Sequence, residues 1–206
     1  MEGYITIKQH SSFEYEDRKS VFIGEAMPVS SESEALAFIE SVKKRYPDAR
    51  HHVYAYVLRE NSISRFTDDH EPQGTAGMPI LDVIRKKGIT DIAIVVTRYF
   101  GGTLLGTGGL VRAYTSAAQG AIVRSEIITY DLYTELSIVV SYSEYGKVGP
   151  KLEQLACSVL DTDFSENVTI FLKLPKFKLE ELLNSLTEIT SGRAKIEVLG
   201  EDFDYV

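Results

Sequence analysis

Residues 91–112, DIAIVVTRYFGGTLLGTGGLVR, decide the fold of the first half of the chain and contain its densest motif. The run from Asp91 to Thr97 is almost entirely apolar and β-branched, which is typical of a strand buried on both faces. Apolar residues then recur at helical spacing, which predicts a helix that buries one face. They are Leu110, Val111, Tyr114, Ala117, Ala118, Ala121 and Ile122. The segment therefore predicts a strand, a glycine-rich turn and a helix in succession.

The turn between this strand and helix has the composition of an anion-binding loop. Five glycines lie within residues 101–109, with Arg98 before them and Arg112 after them. Glycine lets the backbone approach a ligand closely, and a helix N-terminus presents free N–H groups to an anion. A tight turn whose glycines serve only positive φ and close packing is the alternative, which the two arginines disfavour. We expect a site for phosphate or an RNA backbone made by Arg98, Tyr99, Gly101, Gly102, Gly106, Thr107, Gly108, Gly109 and Arg112.

A second dense segment, DDHEPQGTAGMPIL, covers residues 68–81. Pro79 fits the first turn of a helix, which carries Ile80, Leu81, Val83 and Ile84 inward and stops near Gly88. The acids before it allow three interpretations: a cap near the helix, a salt bridge to Arg98 or Arg112, or a solvated turn. We favour the arginine pairing, because the two densest segments of the chain are expected to share one surface. The residues of this motif loop are Asp68, Asp69, Glu71, Pro72, Gly74, Thr75 and Gly77.

With PDARHH at residues 47–52, these segments resemble the IMPACT/YigZ family. The family pattern combines D-D-x-E-P-x-G-T-A-G, R-Y-x-G-G and L-G-T-G-G-L, and all three occur here in order. Two positions depart from it: His70 stands where the family usually has glycine, and Val53 where bacterial members often have cysteine. We expect Arg50, His51 and His52 to lie at the edge of the same site.

The resemblance carries expectations about fold and function. It implies a first domain like the two-layer α/β fold shared by a small-subunit ribosomal protein and domain IV of elongation factor G. It implies a second domain like domain V of the same factor. Eukaryotic relatives restrain a starvation-activated kinase of translation initiation by competing for its ribosome-associated activator. That partner interaction does not carry over to a bacterial-type chain of two domains.

The pattern of the chain predicts an α+β protein with domains at residues 1–130 and 131–206. In the first, strands are expected near residues 4–7, 21–29, 53–59 and 64–68. A helix opened by Ser31 or Ser33 would bury Leu36, Ile39, Val42 and Tyr46, and the helices would cover one sheet face. After Tyr130 the order β-α-β-β-α-β predicts a ferredoxin-like domain. Its apolar positions are Leu136, Ile138, Val140, Tyr142, Val148, Leu152, Leu155, Ala156, Val168, Ile170, Leu172, Leu174, Leu179, Leu182, Leu183, Leu186, Ile189, Ile196 and Val198.

Charge and composition limit the classes of function. The formal net charge is −8, of which residues 1–128 carry −1 and residues 129–206 carry −7. Because phosphate neutralisation supplies most non-specific affinity, any RNA contact must be local to the first half, and no sequence-specific DNA recognition is expected. Cys157, the single cysteine, allows no internal disulfide. The chain shows no secretory signal and no apolar run of about 20 residues, so we expect a cytoplasmic protein without membrane contact. The oligomeric state is not indicated.

Catalysis is not favoured by the residues present. His51, His52 and the acids of the motif loop are side-chain types that hydrolytic zinc or manganese sites use. The adjacent histidines would point to opposite faces of a strand, however, and no HExxH spacing occurs. The loop at residues 105–109 only weakly resembles the phosphate loop of small-molecule kinases, and no lysine is placed for phosphoryl transfer. We therefore predict no catalytic residue, metal or cofactor.

The sequence predicts a translation-associated protein. Its first domain would bind the ribosome or structured RNA, or a ribosome-bound protein, and its second domain would serve docking or regulation. The alternative is a hydrolase or phosphotransferase that uses residues 68–71 and 101–109.

Overall fold

A computed structural model describes residues 3–205, and the chain folds into two compact units. The first unit is Tyr4–Thr129, and the second begins at Tyr130. Buried apolar residues form two clusters in the first unit and one in the second.

The first unit is built on an antiparallel sheet with three long helices. Its strands are β1 (Tyr4–Ile7), β2 (Ser11–Asp17), β3 (Ser20–Pro28), β4 (His51–Leu58), β5 (Ile63–Thr67) and β6 (Ile92–Tyr99). Its helices are α1 (Glu32–Arg45), α2 (Gly77–Lys86) and α3 (Gly106–Arg124). The sheet order is β2-β3-β6-β4-β5, so the buried strand β6 lies at the centre. Strand β7 (Ile127–Val140) follows α3.

Helices cover both faces of this sheet, so the expectation of one covered face is wrong. Ile94 and Val96 of β6 share a core with α2 and α3. The alternate residues Ala93 and Val95 share a second core with α1. The physical reason is that successive side chains of a strand point to opposite faces, and both sets are apolar in β6. A strand that is apolar throughout needs a layer on each side.

The ends of α1 confirm the capping prediction, whereas its buried face was assigned partly wrongly. The Ser31 hydroxyl accepts a hydrogen bond from the Glu34 N–H at 3.3 Å and caps the helix. Leu36 is exposed, while Ala35 and Phe38 are buried with the predicted Ile39 and Val42. Tyr46 is half-buried against the same core, so of the predicted stripe only Leu36 is wrong. Strand β2 was not predicted at all.

Helices α2 and α3 form where the sequence places them. Pro79 lies in the first turn of α2, and all four predicted inward residues of α2 are buried. In α3 the predicted face is buried except Val111, which is exposed. Gly24 of β3 lets α3 approach the sheet, because a Cβ there would lie 2.8 Å from the Ala117 carbonyl carbon.

The second unit has the predicted element order β-α-β-β-α-β. After β7 come α4 (Tyr142–Gln154), β8 (Ser158–Phe164), β9 (Val168–Pro175), α5 (Leu179–Thr190) and β10 (Lys195–Asp204). Strand β7 pairs with both β9 and β10, and β8 pairs with β9, so the order is β10-β7-β9-β8. The alternating apolar residues of β7 and β9 are buried against the two helices. Tyr142, Ala156 and Val198 are exposed, contrary to prediction. Tyr142 begins α4 rather than continuing the strand, and Ala156 follows the end of α4 with φ of 54°.

Within residues 3–205, the structure contains no helix with the length and apolar character that a membrane span requires. The predicted cytoplasmic location stays a prediction.

Candidate nucleic-acid interface

The motif segments meet at one end of the first sheet. His51, the first residue of β4, lies opposite Arg98 of β6, and Tyr99 lies opposite Val21 of β3. Strand β5 ends at Thr67 beside the start of β4. We call this region the motif end: the turn at residues 18–19, residues 50–52, the loop at 68–76, the loop at 100–105 and the start of α3 at residues 106–112. The structure thus brings together segments that are far apart in sequence.

Asp68 of the motif loop acts as a cap for α2. Its Oδ1 accepts hydrogen bonds from the N–H groups of Ala76 (3.1 Å) and Gly77 (2.8 Å), and its Oδ2 accepts one from Gly74 at 2.8 Å. Helix N-termini leave such donors without partners inside the helix, and a carboxylate satisfies them with its charge as well. The cap interpretation therefore holds for this acid.

Asp69 ties the motif loop to the start of β4. Its Oδ2 accepts a hydrogen bond from the His52 N–H at 2.6 Å, and its carbonyl accepts one from His51 Nδ1 at 2.8 Å. The ring of His52 turns to the opposite face and donates from Nε2 to the Tyr46 carbonyl at 3.0 Å. The two histidines thus support the backbone on opposite faces of β4, and no shared ligand site joins their rings.

His70 continues this turn in a left-handed conformation, with φ of 69°. Glycine adopts this region without steric cost, which explains why the family usually has glycine here. The His70 side chain is 87% exposed. The departure from the pattern therefore costs local strain and adds an imidazole to the surface.

Glu71 pairs with Arg98 inside the protein, which confirms the favoured arginine pairing for this acid. The distance from Arg98 Nη1 to Glu71 Oε1 is 2.6 Å, and the side chains are only 7% and 4% exposed. The Tyr114 hydroxyl donates to the same oxygen at 2.8 Å. Burial and then the Glu71 charge hold the pKa of Tyr114 far above its usual value, so its proton stays in place. This network links the motif loop to α3 and β6.

Arg98 consequently differs from the surface arginine that the sequence led us to expect. Its guanidinium lies 5.4 Å from the Phe22 ring and 5.7 Å from the Phe100 ring, and its Nε has no hydrogen-bond partner. A charge that is buried and paired contributes little to a long-range field, because its partner cancels it. The expected RNA-backbone contact of Arg98 is therefore corrected to an internal role.

The glycine-rich loop fits closely onto the neighbouring turn. The Gly101 N–H donates to Ser20 Oγ at 3.0 Å, and a Cβ at Gly101 would overlap the backbone of Lys19 and Ser20. Gly102 and Gly106 have φ of 85° and 70°, which favour glycine. Close packing at Gly101 and positive φ at Gly102 and Gly106 are what the tight-turn alternative predicts, and anion binding by this loop stays a prediction.

Helix α3 starts at Gly106 without a side-chain cap. Thr107 and Gly108 are exposed, whereas Gly109 is buried. The exposed Arg112 folds back over the first turn, with its Nη1 3.7 Å from the position of a Cβ on Gly108. An uncapped helix start beside a guanidinium is a suitable place for an anion.

Two basic residues at this end were missed by the sequence analysis. Arg18 and Lys19 are exposed in the turn between β2 and β3, and Arg18 Nη1 donates to the Leu104 carbonyl at 3.3 Å. A polar stretch between two strands would have indicated an exposed turn here. Because β2 was not predicted, the sequence analysis did not recognise this stretch as a turn. Together with Arg50 and Arg112 they make four exposed basic side chains at the motif end.

The remaining expected site residues have mainly structural positions. Tyr99 is half-buried, and its hydroxyl donates to Asp48 at 2.9 Å. Thr75 Oγ1 donates to the Pro72 carbonyl at 2.6 Å, and Gly77 packs against the Thr67 carbonyl. His52 is buried, so its expected place at a nucleic-acid surface is also corrected.

Two observations bear on chemistry. Within residues 3–205, no three histidine, cysteine or acidic side chains are grouped so as to hold a metal ion. Cys157 of the second unit is half-buried, and burial raises the pKa of its thiol, which disfavours the reactive thiolate.

Comparison with known proteins identifies the family. The model of the Impact N-terminal domain matches residues 18–122, which include the whole motif end. The chain belongs to the IMPACT family. The Domain of unknown function (DUF1949) matches residues 138–193 in the second unit of this IMPACT family chain.

Relatives of the IMPACT family extend across the chain. It is 34% identical to IMPACT family member YvyE of Bacillus subtilis over 198 residues, covering 96% of this chain and 91% of that protein. A crystal structure described as a hypothetical protein is 32% identical, with a TM-score of 0.61 and coverage of 97% and 98%. Protein IMPACT of Xenopus laevis is 31% identical over 94 residues, which cover 44% of this chain and 30% of that protein.

Proposed function

We propose that this protein is a translation-associated binding protein whose first unit contacts structured or ribosomal RNA through the motif end. The proposal rests on how the charged side chains of the motif end are oriented. The acids of the motif loop point to internal partners, while four basic side chains and the uncapped start of α3 are exposed. Among the residues of the motif end, the exposed charged side chains are therefore basic, on a chain whose net charge is −8.

Each acid of the motif loop has a partner inside the protein, which reduces its repulsion of a phosphate. Asp68 satisfies three backbone donors, Asp69 accepts from the backbone of β4, and Glu71 neutralises Arg98. An acid that is hydrogen-bonded inward repels a phosphate less than a free one. The exposed cations Arg18, Lys19, Arg50 and Arg112 are then free to neutralise backbone phosphates, which contact every sequence alike.

The family supports a link to translation. Its resemblance implies that both units are like ribosome-bound modules, namely domains IV and V of elongation factor G. Its eukaryotic members are expected to act on translational control at the ribosome. A ribosome-bound protein is the other partner consistent with this setting, and it is an outcome of the test below. We assign the acidic second unit to docking or regulation, because its charge disfavours RNA.

The test is the salt dependence of binding by the full chain to purified ribosomes and to a folded RNA. Each lost phosphate contact lowers the slope of log K against log salt by about one. We expect Arg112→Ala to weaken binding and flatten that slope. Lys87→Ala, which removes an exposed charge at the far end of α2, is the matched control and should change neither.

Two results would redirect the proposal. Binding to ribosomes that is insensitive to salt and absent with naked RNA would assign the motif end to a protein partner. Equal slopes for the Arg112 and Lys87 variants would remove the phosphate contacts from this surface.

A further inference from the structure

Phe100 is a large aromatic side chain at the motif end that is mostly exposed to solvent. It follows β6 directly, and 55% of it is exposed. Isolated exposed apolar residues are common and need no explanation. Phe100 differs because Arg98 lies over its ring at 5.7 Å, which is a cation–π distance, and because Leu104 of the same loop is 81% exposed. The ring is therefore supported from within the protein and open to solvent.

The loop that carries Phe100 is held at both ends. The Gly101 N–H donates to Ser20 Oγ at 3.0 Å, and the Leu104 carbonyl accepts from Arg18 at 3.3 Å. Because Gly101 lies flush against the backbone of Lys19 and Ser20, the residue before it has little freedom to move. A side chain that is positioned before binding loses less entropy when a ligand arrives.

The loop that carries this ring adjoins groups that can contact phosphate. Arg18 donates to the Leu104 carbonyl, Lys19 lies against Gly101, and the uncapped start of α3 follows the loop in the chain. An aromatic ring combined with phosphate donors matches the two parts of one nucleotide: the base stacks and the backbone is neutralised. A base can reach such a ring only when it is unpaired, since paired bases are stacked inside a helix.

We infer that the motif end recognises RNA that presents an unpaired nucleotide, whose base stacks on Phe100. This rests on the proposed function and adds the class of RNA to it. Phosphate contacts supply affinity for any RNA, and Phe100 supplies the preference for a bulge or loop over a continuous duplex. Arg98 acts beneath the ring as a positioning residue that holds it without touching the ligand.

The experiment compares a blunt RNA duplex with the same duplex carrying an internal bulge, with binding to the full chain measured across salt. We expect the bulged RNA to bind more tightly. Phe100→Ala should weaken its binding by about tenfold, within the range for loss of one base–aromatic stack, with the salt slope unchanged. Phe177→Ala removes a 76% exposed ring of the second unit and is the matched control.

A spectroscopic readout follows from the composition, because the chain has no tryptophan. Phe100→Trp keeps an aromatic platform and introduces a single indole. We expect its fluorescence to be quenched by the bulged RNA and much less by the duplex. Because Phe100 is largely exposed, both variants should fold, which unchanged far-UV circular dichroism would verify.

The outcomes separate this inference from the proposed function. If Phe100→Ala binds both RNAs like the wild type while Arg112→Ala still flattens the salt slope, stacking is wrong and the phosphate contacts stand. Equal weakening of both RNAs by Phe100→Ala would also overturn the stacking. If the wild type binds neither RNA, both proposals fail.

Discussion

Replacing Glu71 by alanine tests the role of the buried pair at the motif end. Glu71 Oε1 accepts hydrogen bonds from Arg98 at 2.6 Å and from Tyr114 at 2.8 Å. Glu71→Ala would leave a guanidinium that is 7% exposed without its counter-ion and a buried hydroxyl without its acceptor. Removing one partner of a buried pair costs about 3–5 kcal/mol. We expect a loss of that size in the free energy of unfolding of the first unit.

The decisive comparison is with the paired replacement Glu71→Leu/Arg98→Met. Replacing both charges by apolar groups of similar size removes the desolvation cost together with the attraction, and such exchanges are often close to neutral. We expect this variant to be more stable than Glu71→Ala alone, although it changes two residues and leaves the Tyr114 hydroxyl without its acceptor, as Glu71→Ala does. Because the pair is buried, the loss in Glu71→Ala should also depend little on salt.

Unfolding in urea, followed by circular dichroism, measures the stability of these variants. Hydrogen exchange read by mass spectrometry then locates the effect, because peptides from α3 and β6 should lose protection while peptides from α5 serve as an internal reference. A loss below about 1 kcal/mol for Glu71→Ala would refute the reasoning. So would a double variant whose loss of stability equals the sum of the losses of Glu71→Leu and Arg98→Met made singly.

Two further predictions concern packing and pH. Gly24→Ala should destabilise the first unit by about 1–3 kcal/mol by overpacking, because its Cβ would lie 2.8 Å from the Ala117 carbonyl carbon; Gly146→Ala, where nothing lies within 4 Å, is the control for urea unfolding. The Ser141 hydrogen bonds and then Arg193 hold the pKa of Glu144 below its usual value, so its contribution to the second unit is present at neutral pH and lost as the pH falls through that lowered pKa. Glu144→Gln should therefore flatten the acid side of the stability profile, and an unchanged profile would contradict this.

The elements that the sequence predicts well are those with a strong local signal. The unbroken apolar run of β6 and the helical spacing in α3 determine these elements before any tertiary contact is considered. Strand β2 has no such signal: its sequence SSFEYED offers two aromatic residues among polar ones. It becomes a strand by pairing with β3 along its whole length, which is a tertiary cause.

The layer on the second face of the sheet was missed although the sequence contained a sign of it. In β4, Val53 and Ala55 face α2 and α3, while Tyr54, Tyr56 and Leu58 face α1. Apolar residues in both registers indicate burial on both faces, as in β6. The prediction placed helices on one face only, so it lacked the layer that α1 forms on the other face.

The motifs located the candidate site. The sequence alone did not indicate which charged side chains point into the protein and which point to solvent. Arg98 and Arg112 are the same residue type and flank the same glycines, so the local sequence does not distinguish their roles. Arg98 lies on β6, on the face covered by α2 and α3, and is buried. Arg112 is on the outer side of α3 and is exposed. Only the alternation of β6 combined with the position of the layers distinguishes them.

This difference changes how a loss of binding should be interpreted. Arg98 contacts Glu71 of the motif loop, Phe22 of β3 and Phe100 of the glycine-rich loop, so it joins the three segments on which the motif end is built. Arg98→Ala should therefore reduce RNA affinity by misplacing those segments. Because its charge is already neutralised by Glu71, the dependence of affinity on salt should stay as in the wild type, whereas Arg112→Ala should flatten it. Affinity alone cannot separate a residue that positions the surface from one that touches the phosphate, but the salt slope can, and a flattened slope for Arg98→Ala would place that guanidinium on the ligand after all.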